Sequence, residues 1–333
     1  MKNWGWLICI IGCWIGCWSC QSKNNVPLHQ IHPQYAQLFF FSVDGLDTTL
    51  HIIHGGDTLA IHQKSVNQFH LLSTTQVGFF SLLNNNSDIK GLVYPQDVDS
   101  PELQNRWKQK QLVELNPGKS EINHELLWSN PADIVLYSPF DPIDFALPKG
   151  TEKVPFADYE ETHPLGRLEW VKVIGFLSNR SKLAEDIFKS KVKQYQSNIC
   201  TVKQPQTVVV GSWDGEYFYI NGQKSNIHQL LLDAGHQTLS PEKNGNAQWD
   251  KEMLWSKLPA INHLIWITTS QQKPQLEKEM NQPESWQKKW GITPHFIMTD
   301  TCSYFQKGII QPEKLLYDLS HLNETGVKTF VTN

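Results

Sequence analysis

The sequence predicts an α/β protein of two lobes, each built around a central β-sheet, joined by one long helix. Three observations predict it. Apolar runs of strand type alternate with segments of helical spacing along most of the chain, the pattern of a sheet covered by helices. One phrase is written twice, as HELLWSNPADIVLY at 124–137 and KEMLWSKLPAINHLIW at 251–266. Between the copies, 178–199 has helical spacing with charges between its apolar positions, long enough for a rod of roughly 30 Å.

Both copies of the phrase read acidic residue, two apolar residues, Trp-Ser, a short polar break, Pro-Ala and an apolar run. Each is a helix that stops and feeds a buried strand. The match in relative position and in the following Pro makes the lobes look like products of a duplication. The Leu-Leu and Met-Leu pairs and both Trp residues are expected in the core.

Bulk composition sets limits. The 333 residues suit about two domains, and a chain that is 40% hydrophobic and 19% charged carries enough apolar surface for a sizeable core. A formal net charge of −4 excludes the basic surplus that a nucleic-acid partner requires. Thirteen Trp residues fit either ligand walls or core filling.

Residues 1–20, MKNWGWLICIIGCWIGCWSC, form an uncharged apolar run after one Lys, too short for a membrane span and suited to an export signal. The run ends at Cys20, followed by polar tether-like residues 21–37. The pattern resembles a bacterial lipoprotein signal with Cys20 as the acylated residue. Cys13 fits the local consensus but leaves a short apolar core, and an ordinary cleaved signal or short N-terminal anchor is the other reading. All of them place the rest outside the cytoplasm, where Cys200 and Cys302 are free to form a disulfide or to remain separate buried thiols.

The first lobe is assigned to 38–178. LFFFSV, TLHIIH and LAIHQ alternate as hairpin strands around a Gly-Gly-Asp turn. QFHLL at 68–72 is a strand leading into small hydroxyl residues, and QVGFFSLL a helix stopped by an Asn cluster. IKGLVYP is a strand, the first copy of the phrase follows, and KVPFAD (153–158) is a further strand. HPLGRLEWVKVIGFL (163–177) starts a helix with Pro in its first turn. The bridge is assigned to 179–199, with Leu183, Ile187, Val192 and Tyr195 as its apolar stripe. The second lobe, 200–333, repeats the grammar: strand 207–213, an aromatic turn, helix 226–235 stopped by Gly, the second phrase with its strand HLIWITT, strand GITPHFIMTD and a Pro-started closing helix.

ETHPLGRLEW at 161–170 resembles a segment of periplasmic binding proteins for iron-siderophores, haem and cobalamin, in the lipoprotein branch that carries a PLGRxEW segment. STTQVGFFSLL (73–83), HELLWSNPADIVLY, YFYINGQKSNIHQLLLDAG (217–235) and GIIQPEKLLYDL (308–319) are similar to further elements of that family, in the family's order, with Ala132-Asp133 where Pro-Asp is usual. The resemblance implies the class III binding-protein fold, two α/β lobes bridged by one rigid helix. It implies a monomeric protein that captures a metal chelate or corrin between the lobes and hands it to an inner-membrane ABC permease, with only modest closure. No reaction and no cofactor are implied.

In that frame the cleft is built from loops after strands. The ligand-binding candidates are Ser73, Thr74, Thr75 and Tyr137, then Tyr159 and Glu160 before PLGR, Trp213, Tyr217 and Tyr219 in the second lobe, and Tyr304 in the late loop. Aromatic walls suit a large, flat, partly apolar ligand. Thr74 and Thr75 equally suit a helix cap, and one of Tyr217 and Tyr219 suits the core. Glu125 and Glu252, heading the repeated phrase, resemble the family's pair of exposed carboxylates that dock on permease arginines. For Arg167 and Glu169 a structural salt bridge is expected.

Other function classes stay open. Proteins that bind zinc or manganese directly share this broad fold, but 21–333 contain no HxH, HExxH or CxxC. An exported α/β hydrolase or esterase lacks its GxSxG signature here, and no GxxxxGK[ST] or GxGxxG occurs. A surface lipoprotein with a decayed cleft is the third alternative.

Overall fold

The computed structural model describes residues 29–63, 68–118, 121–141, 143–200, 205–243, 245–280, 289, 291–300, 303–324 and 328–332. The segment 1–20 expected to be an export signal, with Cys13 and Cys20, lies outside these residues, as does Cys302; Cys200 is partly buried.

The chain enters through β1 (His29–Ile31), β2 (Phe39–Asp44), β3 (Asp47–His54) and β4 (Asp57–His62), an antiparallel meander that forms a sheet of its own. Its alternation buries Phe39, Leu50, Ile52 and Ile61 on one face. Next come β5 (Phe69–Leu71), α1 (Val77–Leu82), β6 (Ile89–Leu92), α2 (Pro101–Lys108), β7 (Val113–Glu114), α3 (His124–Ser129), β8 (Ile134–Tyr137) and β9 (Glu152–Pro155). These strands make an all-parallel sheet in the order β7-β6-β5-β8-β9. Helix α2 was not anticipated; Ser100 caps it and Pro101 opens it.

The PLGRLEW segment is α4 (Pro164–Glu169), continued by α5 (Val171–Leu177) through Trp170. The middle helix is α6 (Ser181–Ser197). Its buried stripe is Ala184, Phe188, Val192 and Tyr195, whereas Leu183 faces out. The rotation follows from close packing on α5: a Cβ at Gly175 would lie 2.5 Å from that of Ala184.

The second lobe contains β10 (Thr207–Trp213), β11 (Phe218–Asn221), α7 (Asn226–Asp233), β12 (Gln237–Thr238), β13 (Asn246–Trp249), α8 (Lys251–Lys257), β14 (His263–Thr268), α9 (Lys273–Met280), β15 (Thr293–Met298), α10 (Pro312–Ser320) and β16 (Val331–Thr332). Its sheet runs β13-β11-β10-β14-β15-β16, with β12 also on β10. Strands β10, β12, β14 and β15 are parallel; β11, β13 and β16 join antiparallel.

The duplicated phrase occupies equivalent places. Helices α3 and α8 each precede the strand that lies beside its sheet's first strand, β8 on β5 and β14 on β10. The caps match too: Asn123 accepts from the Leu126 N–H and Asp250 from the Met253 N–H. The expected burial is corrected. Leu127 and Leu254 are in the core, but Trp128, Met253 and Trp255 are exposed, because only the residue two after each Glu faces the sheet.

Helix α6 touches both lobes. It lies along α5, while Tyr195 donates to Asp233 on α7 at 2.6 Å and Lys191 pairs with Glu313 on α10 at 2.5 Å. Buried Glu169 accepts the backbone N–H groups of Gln34, Tyr35 and Ala36, and Glu161 those of Gln37 and Leu38 plus Trp170 Nε1. The two carboxylates of ETHPLGRLEW thus anchor the entering chain. The expected bridge also resolves: Arg167 pairs with Asp158 and Glu169 with Lys172, not with each other.

Candidate functional site

In an open parallel sheet, ligands bind beyond the carboxyl ends of the strands, where the order reverses. That point lies between β5 and β8 in the first sheet and between β10 and β14 in the second. The two sets of strand ends face one another across a cleft.

The larger cavity there is about 620 Å³, within the usual range for a small-molecule site. Gly211 and Ser212 at the end of β10 and Ile267, Thr268 and Thr269 at the end of β14 form one wall, with the start of α7 beside them. Phe140, Tyr159 and Arg167 come from the first lobe, and Tyr304 and Phe305 from a single π-helical turn, Tyr304–Gly308. Phe140 is 85% exposed, so a large aromatic ring stands in solvent at the rim of the cleft. A second cavity of about 530 Å³ shares Thr299 and Phe305 with the first and is lined by Thr74, Gln96, Asp97, Asp99, Asp300 and Ser303.

Residues that line the second cavity also bond the two lobes to each other. Gln306 accepts the Asp99 N–H at 2.7 Å and donates to the Asp97 carbonyl at 2.8 Å. Lys307 and Ser303 both contact the Asp99 carboxylate and hold it below the usual carboxylate range. Gly78 permits the approach, since a Cβ there would lie 2.4 Å from the Gln306 carbonyl oxygen.

Arg167 is fixed by its own partner. Its Nε donates to Oδ2 of Asp158 at 2.8 Å. Burial raises the Asp158 carboxyl, and the guanidinium beside it opposes that rise. Tyr159 donates to Glu160 at 3.0 Å; burial and that bond push the phenol up to about 12. Tyr219 donates to Asp214 at 3.0 Å, which also raises it. Both phenols are therefore protonated hydrogen-bonding groups at neutral pH.

Four of the sequence candidates lie on the cavities: Thr74 on the smaller, Tyr159, Tyr219 and Tyr304 on the larger. Ser73 caps the turn Thr74–Gln76, accepting from the Thr75 N–H, and its hydroxyl bonds that of Thr75. Tyr137 packs with Val135 and Leu147 beneath Lys153, whose Nζ lies 5.0 Å from its ring centroid. Glu160 sits beside Tyr159 with His54 at 3.8 Å. Trp213 stacks on Phe218 at the edge of a core cluster of the second lobe, and no described Trp lines either cavity. Phe218 and Ile220 supply the core face of β11, so Tyr217 and Tyr219 lie opposite it and neither is core. Glu125 and Glu252 are exposed in the first turns of α3 and α8. Sequence reasoning missed Arg167, Phe140 and Phe305 as cleft residues; Phe140, in a Pro-flanked loop directly after a strand, was the findable one.

Among the described residues, no group of three or more His, Cys, Asp or Glu side chains is placed to hold a metal ion, and no helix is long and apolar enough to cross a membrane.

Solved structures share this architecture. A periplasmic binding protein from Veillonella parvula superposes with a TM-score of 0.64 at 14% identity, covering 83% of this chain and 99% of that one. The siderophore binding protein BauB, bound to two acinetobactin molecules and ferric iron, gives 0.57 at 15% identity, with 84% and 100% covered. A periplasmic heme binding protein from Pseudomonas aeruginosa gives 0.58 at 11% identity, with 80% and 97% covered. The chain has the fold of the class III periplasmic binding proteins. No protein-family model matches the sequence, and no curated protein does. The cavities described above are lined by residues of both lobes, and α6 contacts helices of both.

Proposed function

We propose that the chain is the substrate-binding protein of an ABC uptake system. It captures an iron-siderophore, haem or cobalamin-type ligand between its lobes and delivers it to a membrane permease. The observation that carries this reading is the 620 Å³ cavity at the facing strand ends, with Tyr159, Tyr219, Tyr304, Phe140 and Phe305 on its walls. Aromatic faces and hydroxyls at one rim suit a bulky, partly apolar chelate. The chain binds and releases its ligand without chemical change and acts as a monomer.

Delivery is assigned to Glu125 and Glu252. They are exposed at matching positions of equivalent helices, one per lobe, so a two-fold partner with a cation on each half meets both at once. Retention outside the cytoplasm is assigned to acylation of Cys20, a reading that rests on the leader sequence.

Calorimetric titration of the purified protein with ferric chelates, haemin and cyanocobalamin tests the reading. It predicts at least one ligand binding one-to-one with Kd below about 10 μM, roughly −7 kcal/mol. If none binds in that range, the chain is not an uptake protein of this class.

A further inference from the structure

The charge of the cleft narrows the ligand. Among the described residues, the larger cavity has one charged wall residue, Arg167. Its guanidinium is already bonded to Asp158, a carboxylate 3% exposed behind it, so the pair presents little net charge to an occupant. The remaining polar wall is uncharged and includes the amides of Asn226, Asn246 and Gln272 and the hydroxyls of Ser212 and Thr269. The adjoining cavity carries carboxylates, Asp97, Asp99 and Asp300, and no lining Lys or Arg. Lys307 contacts the Asp99 carboxylate, so that pair too presents little net charge.

A polyanion needs cations to replace the water it leaves. A cleft whose lining cation is internally neutralised opposes its entry by desolvation. An uncharged chelate loses little hydration, and its amide carbonyls find donors on the neutral wall.

We infer that the cleft selects a metal-centred ligand of zero net charge, rich in amide or hydroxamate carbonyls, and rejects polyanionic chelates. The inference rests on the binding-protein reading above and narrows it.

Four probes separate the two claims: a neutral ferric trihydroxamate (ferrichrome), neutral cyanocobalamin, a ferric tris-catecholate of charge −3 (ferric enterobactin) and haemin with its two propionates. The inference expects a neutral probe to bind at least about tenfold more tightly than either anionic one. Gln272→Lys, which adds a cation to the wall, is expected to strengthen ferric enterobactin binding severalfold at low salt, with the gain shrinking as salt screens it. Equal or tighter binding of an anionic probe by the wild type overturns the inference and leaves the uptake reading standing. Failure of all four to bind removes the uptake reading, and the inference with it.

Discussion

Tyr195 on α6 donates its phenolic hydrogen bond to Oδ2 of Asp233 on α7, 2.6 Å away. The contact ties the middle helix to the second lobe, while the other end of α6 packs on α5 of the first. Burial first, then the Asp233 charge, pushes the Tyr195 phenol far above its usual range, so it stays a donor. Tyr195→Phe removes one partner of Asp233 and leaves Gln229 as the side chain still bonded to it. A loss of about 1.5–3 kcal/mol is expected, the size of a hydrogen bond to a charged group. Denaturant titration measures it, and an unchanged midpoint would show that this contact does not clamp the lobe.

Glu169 is fully buried and collects three backbone N–H groups from the entering chain. Glu169→Ala leaves those donors, and Lys172, without this carboxylate. A destabilisation of about 3 kcal/mol or more is expected. Amide exchange at residues 34–36 should rise well beyond that at β10. Uniform change across the molecule would contradict a local anchoring role.

The acid limb of stability has a named contributor. His263 lies between His295 Nε2 at 2.9 Å and Gln206 Oε1 at 2.5 Å. Asn323 also donates to Gln206 Oε1, which fixes that oxygen as the acceptor and His263 Nε2 as the donor. Its Nδ1 then accepts from His295, so a second proton on His263 breaks the bond. Burial lowers His263 to about 4 from 6.5. As pH falls from about 6.5 towards 4, the unfolded chain binds a proton that the folded chain refuses, and stability drops; above that window this group contributes no slope. His263→Asn should flatten the melting-temperature profile within the window. A profile as steep as the wild type's would assign the slope elsewhere.

The two lobe-surface glutamates separate docking from capture. Glu125→Lys with Glu252→Lys should leave ligand affinity unchanged, because both side chains are exposed and away from the cavities. Uptake in cells or permease-containing vesicles should fall at least about tenfold, since like charges then meet at the contact. Undiminished uptake would remove these residues from the docking surface.

Much of the fold was legible because its signals are local. Alternation marked the meander, the 207–213 run matched β10, and the duplicated phrase named two helix–strand units in equivalent places. The misassignments arose where tertiary partners decide. On α6, Val192 and Tyr195 are buried as expected, and only Leu183 was misplaced, because Gly175 on α5 brings Ala184 to the contact. Trp128 and Trp255 were placed inside because hydrophobicity alone does not reveal which face of a two-turn helix meets the sheet. The site was less legible. Tyr159, Tyr219 and Tyr304, chosen as candidates from the sequence, line the larger cavity, whereas Arg167 was read only as a salt-bridge partner. The bonds from Asp97 and Asp99 to Ser303, Gln306 and Lys307 join segments about 200 residues apart, and no local pattern announces them.

Helix α6 and the bonds from Gln306 and Lys307 to Asp97 and Asp99 are expected to leave little room for hinge rotation. Spin labels at Ser129 and Ser256, exposed on α3 and α8, should keep their separation to within a few ångströms on ligand binding. A change corresponding to a rotation of tens of degrees would refute a rigid linkage.

The most direct test of the central claim is calorimetric titration of the wild type and of Thr269→Trp, which places a large ring inside the larger cavity at the end of β14. The account predicts one ligand per wild-type chain and a loss of at least about tenfold in affinity for the variant, with its melting transition intact. A correctly folded Thr269→Trp protein that binds as tightly as the wild type would place the ligand outside the cleft and contradict the account.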